Sequence, residues 1–231
     1  NPTNPIRMIH TFQAEHAEYL RDESRSVGQA ESISFPRDEA EVIADLHALA
    51  ASRLPITIQG GRTGITAAAV PRGGHLMNLS RMDAILGMRR DVESDSWWVT
   101  VQPGVVLSSL REFLARGQFR TDSWDPTSLE ALAAFRNVGP LFFPPDPTET
   151  TATIGGMLAC NASGACSFRY GPMRNHVESI RVALADGSVV ELRRGEQRAH
   201  GRSFRLPLED GRVLEGMVPE YAMPTVKHAA G

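Results

Sequence analysis

The run from Pro55 to Thr66 carries residue types that could hold an anion. Gly60, Gly61 and Gly64 alternate with Arg62, Thr63 and Thr66, directly after the apolar pair Ile56 and Ile58. Glycine tolerates positive φ and lets a ligand press on bare backbone. Successive backbone N–H groups in such a loop form a concave anion site. The threonine hydroxyls add donors and Arg62 adds charge. A phosphate cradle is one reading of the loop. An ordinary glycine-rich turn between elements is the other.

A second stretch has the same character. Leu141 to Pro147 is stiffened by prolines and suits the wall of a ligand site. Thr148 to Gly171 then brings small residues (Gly155, Gly156, Ala159, Ala162, Gly164) together with Thr151, Thr153, Asn161 and Ser163. The absence of bulk admits a large flat ligand to the backbone, and the polar side chains offer hydrogen bonds. Two such loops could clamp one long cofactor, one on a pyrophosphate and the other along a ring system.

The elements that must position these loops follow from patterning. Ile33 to Phe35 reads as a strand stopped by Pro36, and Asp38 caps a helix over 39–52. Val42, Ile43, Leu46, Leu49 and Ala50 give that helix an apolar face. Ile56 and Ile58 predict a buried strand, which places the first loop at its C-terminal end, where α/β folds receive ligands. His75 to Ser80 predicts a further strand. Ala84 to Arg89 and Trp97 to Gln102 predict a hairpin, with the strand tryptophans in the core. Val106 to Arg116 reads as a helix ended by Gly117. Residues 118–138 look like an insertion: an exposed turn at Asp122, Trp124, Asp125 and Pro126, then a short helix from Leu129 to Phe135. Val177 to Leu184 and Ser188 to Leu192 form a hairpin across Asp186-Gly187. The arginines from Arg193 to Arg205 read as a solvated face, and Glu209 to Arg212 as a turn.

Composition closes off several classes. The chain has 231 residues, 42% of them apolar, and a net charge of -3, which gives no footprint for nucleic acid or an anionic membrane. No apolar run approaches the roughly 20 residues that span a bilayer, and the opening residues show no signal peptide. The only two cysteines, Cys160 and Cys166, match neither a redox nor a zinc pattern. Buried or half-buried free thiols in a reducing cytoplasm are expected. Neither a G-x-G-x-x-G nor a Walker loop is present, nor is a G-x-S-x-G elbow. Seven scattered histidines give no support for a metal site.

An ordered set of motifs remains. It runs through Gln59 to Ile65, Asn78 to Met82, Pro144 to Asp146, Ile154 to Gly156, Asn161 to Gly164, Arg169 to Gly171 and Val182 to Gly187. This set resembles the FAD-binding domain of the vanillyl-alcohol oxidase / p-cresol methylhydroxylase superfamily, in the branch of the glycolate oxidase FAD subunit and the FAD-linked D-lactate and D-2-hydroxyacid dehydrogenases. The resemblance implies an α+β, two-lobed PCMH-type fold, each lobe a small mixed sheet with flanking helices. Residues 1–30 would be an N-terminal extension and 31–231 the FAD domain. Lobe one would cover about 31–105, a helix and insertion 106–139, and lobe two about 140–231.

The same resemblance implies the site. The cofactor-binding stretch would run through Gln59, Gly60, Gly61, Arg62, Thr63, Gly64, Ile65 and Thr66, with Gly60 to Ile65 holding the FAD pyrophosphate through backbone N–H groups. Pro145, Asp146, Thr151, Ile154, Gly155, Gly156, Ala159, Asn161 and Gly164 would line the path of the ribityl chain and isoalloxazine. Tyr170, Gly171 and Val177 would help close it. The first loop has no histidine, and His75 lies too far along to replace one, so noncovalent FAD is expected. The implied reaction is oxidation of a 2-hydroxy acid by hydride transfer to FAD, with a separate electron acceptor. The family's concluding glycine motif and its cap domain are missing. Catalytic residues are therefore expected beyond Gly231, and the chain, with His228 near its end, reads as a fragment. The alternative is a FAD-carrying electron-transfer subunit whose catalytic residues lie in a partner chain. The implied setting is cytoplasmic or peripheral to a membrane, without a metal and with oligomerisation open.

Overall fold

The computed structural model describes residues 9–139 and 141–220. The opening residues, the run from Met223 to Gly231 and His228 lie outside them. The chain divides into two bodies, 1–176 and 177–231.

The first body is built on a four-stranded sheet of β1 (His10–Thr11), β2 (Ser32–Ser34), β3 (Ile56–Gln59) and β4 (His75–Asn78) in the order β1-β2-β4-β3. Strands β2, β4 and β3 are parallel and β1 is antiparallel. Helix α1 (Glu39–Ala50) connects β2 to β3, and Asp38 caps it by accepting from the Glu41 N–H. Its inward face buries Leu46 and Leu49 as expected, together with Asp45, while Val42 and Ile43 are half-buried and Ala50 is exposed. Strand β4 lies between two parallel neighbours, so all four of its residues are buried. Ile58 on the edge strand β3, expected inside, is 51% exposed.

Strands β5 (Ile85–Asp91) and β6 (Ser96–Val101) form the expected hairpin, with a register shift between Ile85 and Gly87. Helix α2 (Leu107–Arg116) ends at Gly117, whose φ of 61° is the left-handed conformation that closes helices. Helix α3 (Pro126–Phe135) starts at Asp125, whose carboxylate accepts from the Ser128 N–H.

The turn before α3 exposes Asp122, Asp125 and Pro126 as expected, but not Trp124. Trp124 is 6% accessible, and its indole N–H donates to the Ile85 carbonyl at 2.7 Å. Phe135 packs edge-on against Trp97, and Phe119 bridges Phe113, Trp124 and Phe135. Ser128 is packed so tightly on β5 that a Cβ on Gly87 would stand 2.7 Å from its hydroxyl. Segment 118–138 therefore closes the core over the hairpin. Each large apolar side chain buried there contributes on the order of 1.5–3 kcal/mol. Polar spacing hid this, because the turn exposes Asp122 and Asp125 while turning Trp124 inward. Trp97 and Trp98, expected in the core, are half-buried.

The remainder of this body holds two short helices, α4 (Ile154–Ala159) and α5 (Ser167–Tyr170). The second body consists of two hairpins, β7 (Ser179–Ala183) with β8 (Val189–Arg193) and β9 (Ser203–Pro207) with β10 (Val213–Met217). Gly187 turns the first at φ 81° and Gly211 the second at φ 86°. Arg212 joins them by pairing with Asp186 at 3.0 Å. The Ser188 hydroxyl and N–H, together with Arg212, hold the Asp186 carboxyl at about 2.

Candidate functional site

Strand β3 delivers the chain into the first loop through Gln59. This side chain is fully buried and fully engaged. Its amide nitrogen donates to the Tyr19 carbonyl at 2.7 Å and to the Ala69 carbonyl at 2.6 Å, and its oxygen accepts from Asn78 Nδ2 at 3.2 Å. The motif places Gln59 against the ligand. Its side chain instead ties the start of the loop to its far end and to β4.

Gly60 and Gly61 act by close approach rather than by positive φ. Gly60, Gly61 and Gly64 are not left-handed; the left-handed residues of the loop are Arg62 (φ 60°) and Ala67 (φ 61°). A Cβ on Gly60 would lie 2.2 Å from the Thr153 hydroxyl, and one on Gly61 2.9 Å from the Thr151 carbonyl. The Gly61 N–H donates to Thr153 Oγ1 at 3.3 Å. The two glycine-rich stretches therefore meet at Gly60, Gly61 and Thr153. Gly64 has open space around it. Ile65 is 76% exposed and Thr66 is exposed.

Arg62 adds less charge than expected. Its guanidinium donates to the Glu18 carbonyl, pairs with the Glu18 carboxylate at 3.1 Å, and lies 4.6 Å from the Tyr19 ring centroid. Among the described residues, the backbone N–H groups of Arg62, Thr63, Gly64, Ile65 and Thr66 donate to no protein acceptor. Such a run of free donors around a left-handed residue is what an anion site needs.

The second stretch is held in place by α2 and the strip before it. Leu107 N–H donates to the Ala152 carbonyl, Ile154 N–H to Val105, and Gly155 N–H to Pro103, at 2.8–2.9 Å. A Cβ on Gly155 would stand 2.5 Å from Pro103 Cβ, so this glycine packs against protein. Gly156 is exposed, with only the Thr153 hydroxyl close to where its Cβ would be. Ile154 and Pro145 are buried, whereas Ala159 is exposed. The Thr151 hydroxyl is directed to Glu149 at 2.6 Å. Asn161, at φ 46°, forms the left-handed turn that ends α4, and its side-chain oxygen accepts from the Arg174 N–H at 3.1 Å.

Arg111 is the residue missed from sequence. It donates to the Pro145 carbonyl at 2.9 Å and to Asp146 Oδ1 at 2.8 Å. Cys166 Sγ donates to Asp146 Oδ2 at 3.3 Å. Arg111, then Cys166, hold the Asp146 carboxyl below its usual range, and the carboxylate in turn pushes the Cys166 thiol up. A Cβ on Gly164 would fall 1.5 Å from the Asp146 carbonyl, so Gly164 also serves packing. Asp146 thus anchors the proline wall to α2 and to the loop before α5. Only its position 35 residues from Arg111 concealed the pair.

Tyr170 packs edge-on to Phe142, with Gly171 following at φ 86°. Val177 opens the second body. Both cysteines are free; Cys166 is half-buried, and Cys160 is exposed where burial was one expectation. Among the described residues, no group of His, Cys, Asp or Glu could hold a metal, and no helix is long and apolar enough to cross a membrane.

The family model described as FAD binding domain matches residues 30–131 and 126–193. A D-lactate dehydrogenase of Archaeoglobus fulgidus is 32% identical over 158 residues, which is 68% of this chain and 30% of that protein. The glycolate oxidase subunit GlcD of Bacillus subtilis is 27% identical over 162 residues, 69% of this chain and 29% of its own. Among solved structures, 6-hydroxy-D-nicotine oxidase of Arthrobacter nicotinovorans matches with a TM-score of 0.60 at 14% identity, over 81% of this chain and 36% of that one. The chain spans less than a third of the length of these two sequence relatives.

Proposed function

The chain belongs to the FAD binding domain family, with a PCMH-type α+β fold, and from that premise we propose that it is the cofactor-holding part of a flavin-dependent oxidoreductase acting on a 2-hydroxy acid of the D-lactate or glycolate type. The carrying observation is the run of unpartnered N–H groups from Arg62 to Thr66 at the end of β3, backed by Gly60 and Gly61 against Thr153. A diphosphate needs such a set of fixed donors, and the donor set fits one.

In this reading the N–H groups of residues 62–66 hold the pyrophosphate. Pro145, Asp146, Ile154, Gly156 and Ala159 border the remainder of the cofactor, and Thr151, Gly155, Asn161 and Gly164 shape that border. Tyr170 and Gly171 lie at its edge. FAD, when bound, supplies the electron sink for a hydride leaving a hydroxyl-bearing carbon. This chain's residues bind and orient it. The cofactor is held without a covalent bond: no histidine lies in residues 59–66, and both ring nitrogens of His75 are taken by Ser32 and Ser34. Two free thiols support a reducing, cytoplasmic setting. The electrons pass on to a separate acceptor.

The full-length protein tests the reading. Purified, it is expected to be yellow, to release flavin on acid precipitation, and to bleach anaerobically with D-lactate, glycolate or D-2-hydroxyglutarate. Colourless protein that FAD cannot reconstitute would overturn it.

A further inference from the structure

The turn over residues 14–20 precedes the segment that the FAD binding domain model matches, yet its carbonyls and rings converge on the glycine loop. We infer that this turn is a working part of the cofactor site, with Glu18 and Tyr19 acting through Arg62 and Gln59 as positioning residues that preset the N–H groups of residues 62–66. The inference rests on the reading of that loop as a diphosphate cradle.

Four contacts make the brace. The Arg62 guanidinium donates to the Glu18 carbonyl, pairs with its carboxylate at 3.1 Å, and stacks 4.6 Å from the centre of the Tyr19 ring. The Gln59 amide donates to the Tyr19 carbonyl at 2.7 Å. These anchors stand on both sides of Gly60 and Gly61, and the second bond from Gln59 holds Ala69 at the loop's far end. Arg62 is left-handed at φ 60°, a conformation that costs a non-glycine residue and persists only where its surroundings enforce it. The turn itself is fixed: the Tyr19 ring packs edge-on to Phe35 at 5.0 Å, and Phe35 carries Arg81 on its face at 4.9 Å. With its charge committed to Glu18, Arg62 holds backbone in place instead of meeting the phosphates as a free cation.

The test compares the full-length protein with its Glu18→Gln, Arg62→Lys and Arg62→Gly variants. Arg62→Gly removes the brace while relieving the left-handed backbone, so its melting temperature should not fall. Thermolysin cleavage before Ile65, measured without FAD, should quicken about five- to tenfold in Arg62→Gly and about twofold in Glu18→Gln, because a looser loop reaches the protease more often. FAD, the probe ligand, should bind more weakly by similar factors, with Arg62→Lys recovering part of both losses. Unchanged cleavage in Arg62→Gly would overturn the brace. So would a loss of FAD affinity in Arg62→Gly that Glu18→Gln does not share, since that pattern marks Arg62 as a direct phosphate contact. Should the unaltered protein fail to bind FAD, the proposed function falls, while the cleavage data still decide whether the brace exists.

Discussion

Acidification should destabilise this chain through His75. The residue sits in the central strand β4, fully buried, with Nδ1 2.8 Å from the Ser32 hydroxyl and Nε2 2.9 Å from that of Ser34. Burial lowers its imidazole from 6.5 to about 4. The native state therefore keeps His75 neutral while the unfolded chain takes up a proton near pH 6.5. The stability held by the neutral ring is complete above pH 6.5 and is lost as pH falls toward 4. At about 1.4 kcal/mol per pH unit, the interval from 6.5 to about 4 amounts to about 3 kcal/mol. Asp45 opposes this from α1. It is buried, its Oδ2 has no partner, and burial raises its carboxyl despite the Ser34 hydroxyl and with help from Glu41. Protonating Asp45 then favours the native state at the acid end, so the net loss should concentrate above the ordinary carboxylate range. Urea unfolding at half-unit steps from pH 7 to 4, in the unaltered protein and in His75→Gln, measures the effect. The variant can bridge both serines without titrating. It should lose about 3 kcal/mol less over the interval; parallel stability curves would refute the assignment.

Gly64→Ala should leave the melting temperature unchanged, because among the described residues no atom beyond its chain neighbours lies within 4 Å of the new Cβ, yet weaken FAD retention if the ligand fills that space; flavin titration of the folded variant checks this. Gly61→Val is a poorer probe, since its Cβ also meets the Thr151 carbonyl at 2.9 Å. Asp146→Asn should lower the Cys166 thiol toward its ordinary range and quicken its alkylation above pH 8, read by mass spectrometry with exposed Cys160 as internal reference. Trp124→Ala should cost about 3–5 kcal/mol in urea unfolding, from the cavity and the lost bond to Ile85.

The elements that carry the loops were legible because their signals are local. Asp38 before an amphipathic run, Gly117 after one, and Asp186-Gly187 between two apolar stretches each declare a boundary from neighbouring residues alone. The glycine loops were legible as a pair, but the work of their residues was not. Gln59 and Gly155 stand in a motif that reads as ligand contact, and both are occupied by protein. What engages them comes from Tyr19, Ala69 and Pro103, none of which has a pattern pointing to its partner. Trp124 misled for a related reason: three polar neighbours outweighed one large ring, although the ring decides which way the turn faces.

The contact between Gly61 and Thr153 spans 92 residues of sequence. On a ribosome that adds about 5–20 residues each second, roughly 5–20 seconds separate the synthesis of these two halves. During that time the first loop has emerged, or begun to emerge, without the threonine that backs it. Under the proposed reading of this loop, cofactor capture follows the closing of this long-range contact, and a nascent chain stalled before Thr153 should retain no flavin after gel filtration.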